Sequence, residues 1–310
     1  MIRLRFWGVR GSIPTPGAHT VNTGGNTSCI ELRYGEAEHL VIIDAGTGIR
    51  GLGELLLRDA SETEVIRASL FLTHTHWDHI MGFPFFAPIY RKGTELDLYG
   101  PVTWEDESLK KVIGHQLNYQ YFPVHSGELA ATLRYHELRE ERVELADGMI
   151  VHTTYLNHPV LCLGYRFEYR GTTVVTAFDT EPFRNLFPTD PSQSGFDPEI
   201  AAEGERAARE ENSRLLSFYR NADLLIHDAQ YTREEHRRDR MGWGHSSFDD
   251  AIENGMASGA RRMLLFHHDP ERRDDDFEHI LARCRNIASK RNMRVDIATE
   301  GLVIELPDAQ

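Results

Sequence analysis

Long apolar segments are missing from this sequence, in which runs such as residues 40–43 (LVII) are only a few residues long. A helix that spans a bilayer needs about 20 predominantly apolar residues. We therefore expect no transmembrane helix and no membrane partner. The first residues, MIRLRFWGVRGS, also lack the apolar core of a signal peptide and predict a strand. Both absences predict a cytoplasmic protein.

Cysteine is scarce as well. The chain of 310 residues has three, Cys29, Cys162 and Cys284, which are far apart and form no CxxC pair. An odd number of widely spaced cysteines argues against a disulfide framework and against a cysteine zinc site. We interpret them as small buried side chains in a reducing compartment.

Positive charge is in the minority, since 34 Lys and Arg stand against 48 Asp and Glu, for a net charge of −14. Proteins that grip long stretches of nucleic acid usually present a basic surface. We therefore expect no long nucleic acid as a partner. An anionic small molecule is compatible with this composition, provided that cations lie locally in its pocket.

The chain shows no internal repeat, low-complexity tract or long linker, and we expect a single domain over residues 1–310. Predicted strands cover 2–9, 29–34, 40–43, 69–73, 95–99, 149–155, 163–169, 172–178, 222–227 and 262–267. Predicted helices cover 49–58, 105–117, 199–220, 247–259 and 274–291, and a last hairpin covers 294–306. Strands that end in polar clusters, with helices between them, indicate layered α/β packing. Two sheets flanked by helices fit better than a doubly wound sheet or a TIM barrel, because the helices are few and irregularly placed.

Histidine and aspartate are concentrated directly after apolar, strand-like runs. The chain has 16 histidines, and a histidine taken at random is more often a surface or core residue than a ligand. Five runs end in such residues, namely the segment 74–79 (HTHWDH), His158, Asp179, His227 with Asp228, and His267. Strand ends at one edge of a sheet converge on a crevice. Imidazoles and carboxylates together are the ligands that zinc, manganese and iron take.

The spacing within the segment 74–79 has a mechanical interpretation. On an extended chain His74 and His76 point the same way, because side chains alternate with period two, so they can bind one cation together. Asp78 and His79 follow a tightening of the chain and can face a second cation. Trp77 is the one residue from 76 to 79 without a ligand role, and we expect it to pack inside and wedge the turn that separates the two pairs.

Four ligands are too many for one metal with an open position, but they are about half of what two metals need. His158, Asp179 and His267 are suitably placed to supply the remainder, and Asp179 is the natural bridge because a carboxylate has two oxygens. Only one of the neighbours His267 and His268 should coordinate, since adjacent strand residues point to opposite faces. Alternation alone does not decide between the two, and we expect Asp44 to orient a histidine or its loop. A polar cluster paired only with itself is the alternative.

This pattern resembles the metallo-β-lactamase superfamily. The HxHxDH run is highly specific, and the similarity extends from residues 6–14 (FWGVRGSIP) to residues 267–270 (HHDP). The resemblance implies a four-layer αββα sandwich, with two mixed sheets flanked by helices and a binuclear site at the sheet edges. It implies one metal on His74, His76 and His158, a second on Asp78, His79 and His267, and Asp179 between them.

Within the superfamily the chain most resembles the phosphodiesterase branch, which includes ribonuclease Z and the cyclic-phosphate and cyclic-nucleotide phosphodiesterases. Four segments carry this similarity, 24–29 (GGNTSC), 164–166 (GYR), 222–228 (ADLLIHD) and 244–247 (GHSS). The resemblance implies a metal-dependent phosphoric diester hydrolase with two divalent ions, zinc or manganese, with iron as a third option. Two such ions about 3.5–4 Å apart can activate a bridging water as hydroxide.

The resemblance also assigns roles beside the metals. His245 is the candidate acid that protonates the leaving group, with Asp228 as the carboxylate that orients it. Asp78 is counted among the catalytic residues as well as the ligands. Ser246 or Ser247 caps the following helix.

The expected substrate class depends on the lack of a tRNA-binding arm. Ribonuclease Z enzymes carry a long arm that grips tRNA after the histidine corresponding to His158, but here His158 runs directly into residues 163–166 (LGYR). Together with the acidic charge, this favours a small phosphodiester substrate, of the cyclic-nucleotide type. The alternatives are an RNA-processing nuclease of the ribonuclease Z type and a non-catalytic metal-binding sensor. A redox di-iron role is disfavoured, because that branch has a carboxylate where His76 stands.

The sequence leaves alternative roles for three segments. The aromatic-rich residues 83–90 and 119–124 either stack a base or belong to the core. Residues 183–219 carry no motif and form either a cap over the site or a dimer contact, and we expect a homodimer.

Overall fold

The computed structural model describes residues 1–103 and 107–309, which form two seven-stranded sheets. The first sheet contains β1 (Ile2–Gly8), β2 (Cys29–Tyr34), β3 (His39–Ile43), β4 (Ile66–Phe71), β5 (Thr94–Pro101), β6 (Thr132–Leu138) and β14 (Val303–Leu306). The second contains β7 (Arg142–Glu144), β8 (Ile150–Tyr155), β9 (Leu163–Tyr169), β10 (Thr172–Ala177), β11 (Leu224–Asp228), β12 (Arg262–Phe266) and β13 (Arg294–Ile297).

Both sheets are mixed in the same way. In the first sheet the order is β14-β1-β2-β3-β4-β5-β6, and the pairings are antiparallel as far as β3 and parallel from β3 to β6. In the second the order is β13-β12-β11-β10-β9-β8-β7, antiparallel from β7 to β10 and parallel from β10 to β13.

The helices lie on the outer faces of the sheets. They are α1 (Ile49–Asp59), α2 (Trp77–Ile80), α3 (Leu109–His115), α4 (Pro198–Tyr219), α5 (Arg233–Glu235), α6 (Phe248–Ser258) and α7 (Asp276–Ala288), with a π-helical turn over His236–Arg240. Short 3-10 turns cover Phe83–Phe85, Ala87–Tyr90, Ser126–Glu128, Ala146–Gly148 and Ser289–Arg291. Apolar side chains of α1 and α3 pack on the first sheet, and those of α4, α6 and α7 pack on the second. The predicted αββα sandwich is therefore confirmed.

Alternation of side chains explains how one strand serves two environments. In β1, Ile2, Leu4 and Phe6 are fully buried between the sheets, whereas the intervening side chains are only partly buried on the outer face. All six residues of β10 are buried, because this strand has a sheet on one side and helices on the other. The central core contains Phe71, which stacks on Tyr99 with ring centroids 4.5 Å apart.

One sequence prediction of the fold is wrong. Residues 294–306 do not form a hairpin, because β13 pairs with β12 in the second sheet and β14 pairs with β1 in the first. The segment between them crosses from one sheet to the other, with Gly301 N–H donating to the carbonyl of Phe6 at 2.8 Å. Period-two alternation predicts strands but does not indicate which sheet a strand joins.

Other differences are smaller. The helix predicted over 105–117 is found over Leu109–His115, and residues 105 and 106 lie outside the described residues. The prediction did not include β6 and β7, which have few buried side chains and thus a weak apolar pattern. The three cysteines are buried free thiols. Among residues 1–103 and 107–309, no helix has both the length and the apolar character needed to cross a membrane.

Candidate metal centre

The predicted ligands converge where the carboxyl ends of strands from both sheets meet. The segment 73–79 follows β4 of the first sheet. His158, Asp179 and His267 follow β8, β10 and β12 of the second sheet. Because these loops meet at one edge of the sandwich, residues far apart in sequence become neighbours, as at the ligand crevices of other α/β folds.

One group contains His74, His76, His158 and Asp179, whose potential donor atoms all lie within 4.8 Å of one another. Nε2 of His158 is 3.1 Å from Nδ1 of His76. Oδ2 of Asp179 is 3.4 Å from Nε2 of His74 and 3.9 Å from Nε2 of His158. Three imidazoles and one carboxylate oxygen therefore surround a common point.

The second group contains Asp78, His79, His267 and the same Asp179. Oδ1 of Asp179 is 3.3 Å from Nε2 of both His79 and His267. Nε2 of His267 is also 3.0 Å from Oδ2 of Asp78. Asp179 therefore turns one oxygen toward each group, which is the arrangement of a bridging carboxylate.

The chemistry of the donor atoms fits two divalent cations. Nε2 of His79 and Nε2 of His267 are 3.2 Å apart, so two ring nitrogens face each other as His158 and His76 do in the first group. Nε2 of His74 and Oδ1 of Asp179 are buried and have no hydrogen-bond partner within the described residues. Buried polar atoms without a partner are costly, and nitrogen and oxygen donors of this kind suit zinc, manganese or iron.

The pKa shifts of histidines in the two groups are also compatible with bound cations. Burial, the largest effect, lowers the pKa of His158 to about 4, so this imidazole is neutral near pH 7 and its lone pair is free to bind a metal. At His79 burial also lowers the pKa, but Asp179, Asp78 and Asp44 raise it well above its usual value. Three carboxylates around one imidazole thus create a negative potential that a cation would neutralise.

Hydrogen bonds from outside the two groups orient several of these side chains. The carboxylate of Asp44 is 2.7 Å from Nδ1 of His79 and accepts from the N–H of Thr73, which agrees with its predicted orienting role. The N–H of Ser12 donates to Oδ2 of Asp78 at 2.6 Å. The contact at Nδ1 of His79 leaves its Nε2 directed at the second group, and the contact from Ser12 holds the Asp78 oxygen that faces the same group.

His245 and Asp228 form a pair beside both groups. Oδ2 of Asp228 is 2.8 Å from Nδ1 of His245 and 3.1 Å from the N–H of Thr180. The ring of His245 stacks on that of His267 at 4.9 Å between centroids. Burial lowers the pKa of His245, but Asp228, followed by other carboxylates of the site, raises it to about 9.

The residues that follow His245 are structural. Ser247 is the N-cap of α6 and forms a capping box with Asp250, while the hydroxyl of Ser246 donates to the carbonyl of Thr180 at 2.6 Å. His268 is turned away from the ligand groups, with its Nε2 2.8 Å from the carbonyl of Ala298. The choice of His267 over His268 agrees with this geometry.

Three residues of the site have left-handed backbone conformations. The φ angles are 59° at Asp44, 51° at Asp179 and 62° at His267. Such angles cost of order 1–3 kcal/mol at residues other than glycine and cluster at functional sites. Each of the three comes directly or nearly directly after a strand, so the backbone reverses there and turns the side chain toward the centre.

Sequence reasoning missed two features of the site. Trp77 does not pack inside the turn as predicted, because its side chain is 63% exposed; backbone hydrogen bonds of the single-turn helix α2 hold the turn instead. Glu181 is buried beside the loop that carries His245. Its position two residues after a predicted ligand was the only signal available, and such a signal does not separate it from an exposed glutamate.

Comparison with solved structures places this architecture in a known class. The metallo-β-lactamase fold protein YhfI from Bacillus subtilis has a TM-score of 0.63 and 17% identity, covering 98% of both chains. A diphosphatase of the PhnP family also has a TM-score of 0.63 and 17% identity, covering 99% of this chain and 98% of the other. The fold is thus that of the metallo-β-lactamases.

Comparisons of the sequence point to the same class of protein. Residues 39–190 match the model of the beta-lactamase superfamily domain. A ribonuclease Z from Lactococcus lactis is 26% identical over 279 residues, which cover 81% of this chain and 86% of that protein. Residues 39–190 are thus similar to the beta-lactamase superfamily domain, and the chain as a whole is similar to ribonuclease Z.

Proposed function

We propose that this protein is a metal-dependent phosphoric diester hydrolase whose substrate is a small phosphodiester of the cyclic-nucleotide type. The observation that carries the proposal is the pair of ligand groups that share Asp179, with His245 stacked beside them. The relatives support hydrolysis at phosphorus, since one is named as a ribonuclease and a structural neighbour as a diphosphatase.

Seven side chains would hold the metals. His74, His76 and His158 would bind one ion, Asp78, His79 and His267 the other, and Asp179 would contribute to both. Two divalent cations at these positions, with zinc and manganese preferred and iron as a third option, would neutralise phosphate charge and lower the pKa of water.

The chain itself handles the proton of the leaving group. Asp228 accepts from Nδ1 of His245, which leaves Nε2 as the position that holds a proton for the departing oxygen. Burial of both side chains keeps bulk water away from that proton. General acid assistance of this kind is worth roughly 10²–10⁴-fold in rate.

The connection from β8 to β9 favours a small substrate. The two strands are joined by residues 156–162, with Leu156 N–H donating to the carbonyl of Cys162 at 2.9 Å, so no tRNA-gripping arm is inserted there. The net charge of −14 points in the same direction. A ribonuclease Z activity is the second candidate, because the curated relatives carry that name.

A substrate panel tests the proposal. Purified protein loaded with zinc or manganese is given bis(p-nitrophenyl) phosphate, a set of cyclic nucleotides and a tRNA precursor, with H76A as control. We expect turnover of the first two and none by H76A. Cleavage of the tRNA precursor alone would favour the ribonuclease, and metal binding without any turnover would favour a sensor. The homodimer and the cytoplasmic location stay predictions from the sequence.

A further inference from the structure

Glu181 is a buried carboxylate outside the two ligand groups, and it binds the loop that precedes His245. The residue is 8% exposed. Its Oε2 accepts the N–H of Gly242 at 3.1 Å, and its Oε1 accepts the N–H of Gly244 at 3.3 Å. Since an ionised carboxylate has only acceptor capacity, it suits two converging backbone donors.

The loop held in this way contacts a metal-ligand candidate through its backbone. The carbonyl of Gly244 is 3.0 Å from Nδ1 of His158, so this nitrogen donates and Nε2 is left to face the ligand group. Gly244 has φ of 81°, and a Cβ on it would lie 2.2 Å from Nδ1 of His158. Glycine is therefore required for the carbonyl to come this close to the imidazole.

The same short segment also supports His245. Thr180, which precedes Glu181, donates its N–H to Asp228 and accepts the hydroxyl of Ser246 with its carbonyl. Residues on both sides of His245 are thus tied to the two residues that follow Asp179. The bridging aspartate, the imidazole His158 and the candidate acid His245 are connected through seven residues of hydrogen-bonded chain, 179–181 and 242–245.

The carboxylate of Glu181 is also held in place by a neighbouring histidine. Nε2 of His236 lies 3.2 Å from its Oε2, and a guanidinium nitrogen of Arg184 lies 3.4 Å from Nδ1 of the same imidazole. His236 begins the π-helical turn over His236–Arg240, a rare conformation that often marks functional sites. The carboxylate therefore has three donors and little freedom to rotate.

We propose that Glu181 is a positioning residue of the reaction: by holding the N–H groups of Gly242 and Gly244, it sets the tilt of the His158 imidazole and the aim of His245. This inference rests on the hydrolase proposed above. It assigns Glu181 no contact with substrate or metal, and it predicts two separate losses when the carboxylate is changed, one in metal retention and one in proton delivery.

The test uses E181Q, which keeps the shape of the side chain but turns one acceptor into a donor. E31Q is the matched control, because Glu31 is also a buried carboxylate, accepting from Trp7 and Arg33 on the outer face of the first sheet. Metal retention is measured by competition with a chromogenic chelator, without any substrate. We expect E181Q to bind one of two metal equivalents about 10–100-fold more weakly, and E31Q to match the unaltered protein.

Leaving groups give the second readout. A cyclic nucleotide expels an alkoxide, which needs a proton, whereas bis(p-nitrophenyl) phosphate expels p-nitrophenolate, which does not. With metal at saturation, we expect kcat of E181Q to fall at least ~10-fold for the cyclic nucleotide and much less for the p-nitrophenyl ester. H236Q changes only the imidazole that donates to Glu181. Its kcat should also fall more for the cyclic nucleotide than for the p-nitrophenyl ester, but by a smaller factor than in E181Q. H236Q replaces E181Q if that variant does not fold.

The outcomes separate the two proposals. If the unaltered protein turns over neither substrate, the hydrolase proposal fails, and the chelator competition still tests Glu181. If metal retention is unchanged, or if both substrates slow equally in E181Q, H236Q and E31Q, Glu181 is a structural residue and the inference is overturned.

Discussion

Asp179 is the residue on which the two ligand groups depend together, since its oxygens face different imidazoles. His76 belongs to only one group. This difference predicts unequal losses of metal. We expect H76A to retain about half the metal of the unaltered protein and D179A to retain less than H76A, measured by atomic emission after gel filtration.

A matched substitution controls for the removal of a histidine close to the site. H268Q changes a buried imidazole next to His267 that hydrogen-bonds to the carbonyl of Ala298, and its metal content should equal that of the unaltered protein. D179A with a full complement of metal would refute the bridging role.

Trp77 offers a second residue-scale prediction, because it is exposed between two candidate ligands. An exposed side chain contributes little to stability, so W77A should change the free energy of unfolding by less than about 0.5 kcal/mol. If the ring contacts the base of a nucleotide substrate, KM should rise about 2–10-fold, since aromatic contacts are worth roughly 0.5–1.5 kcal/mol. W77F should restore KM, and an unchanged KM in W77A would exclude the contact.

The residues that sequence reasoning found and those it missed differ in physical kind. The three imidazoles and the carboxylate of HTHWDH stand out in the sequence because ionisable groups placed directly after a core strand are expensive unless something satisfies them. The carbonyl of Gly244 and the left-handed φ of Asp179 and His267 leave no such trace, because any residue type has a carbonyl and φ depends on the turn around it. Glu181 became recognisable only when the fold brought two glycine N–H groups to it.

At the scale of elements, β11 packs against α4 and α6 around a buried histidine. His227 lies at 5.7 Å from the ring of Tyr219 in α4, and its Nε2 is 3.2 Å from Nδ2 of Asn254 in α6. Burial is the main cause that lowers the pKa of His227. The folded protein therefore holds this side chain neutral, while the unfolded chain protonates it below about pH 6.5.

This pKa shift predicts a loss of stability in acid. Because the folded pKa is the lower one, the unfolded state binds more protons as pH falls from about 6.5 toward the folded value, and the free energy of unfolding decreases by up to about 1.4 kcal/mol per pH unit. H227Q should reduce the difference in urea-unfolding free energy between pH 8 and pH 5.5, measured with chelator present. The exposed His279 supplies the control H279Q, and equal pH dependence in H227Q and the unaltered protein would refute the prediction.

Elements were predictable where their apolar pattern was strong. β2 and β9 begin and end at the predicted residues, and α6 differs by one residue at each end because Ser247 and Gly259 are its caps. The failed hairpin over 294–306 shows the limit of the pattern. Strand pairing there depends on partners nearly three hundred residues away in β1, and alternation within a segment contains no information about them.

At the scale of the molecule, the ligands join the two sheets. His74, His76, Asp78 and His79 come from the first sheet, whereas His158, Asp179 and His267 come from the second. Metal bound only to the folded state stabilises it by RT ln(1 + [M]/Kd), about 2.7 kcal/mol at a hundredfold excess over Kd. We expect zinc or manganese to raise the midpoint of thermal unfolding and a chelator to lower it, measured by calorimetry.

The double variant H76A/D179A serves as the control for this measurement. Its unfolding midpoint should respond less to added metal or to chelator than that of the unaltered protein, because each ligand group has lost Asp179 and the first has also lost His76. A response equal to that of the unaltered protein would mean that the stabilising ions bind elsewhere on the chain.

The division of the ligands between two sheets has a consequence for how the protein matures in a cell. Neither half of the chain can assemble a complete binding site alone, so an ion held by all its ligands reports that both sheets have formed and docked. Complete metal loading therefore occurs only in molecules in which both sheets are folded and packed together. A nascent chain that ends before β12 lacks His267, so the second ion can bind only when the last part of the chain has been translated. Where metal is scarce, newly made copies would lack this connection between the two sheets.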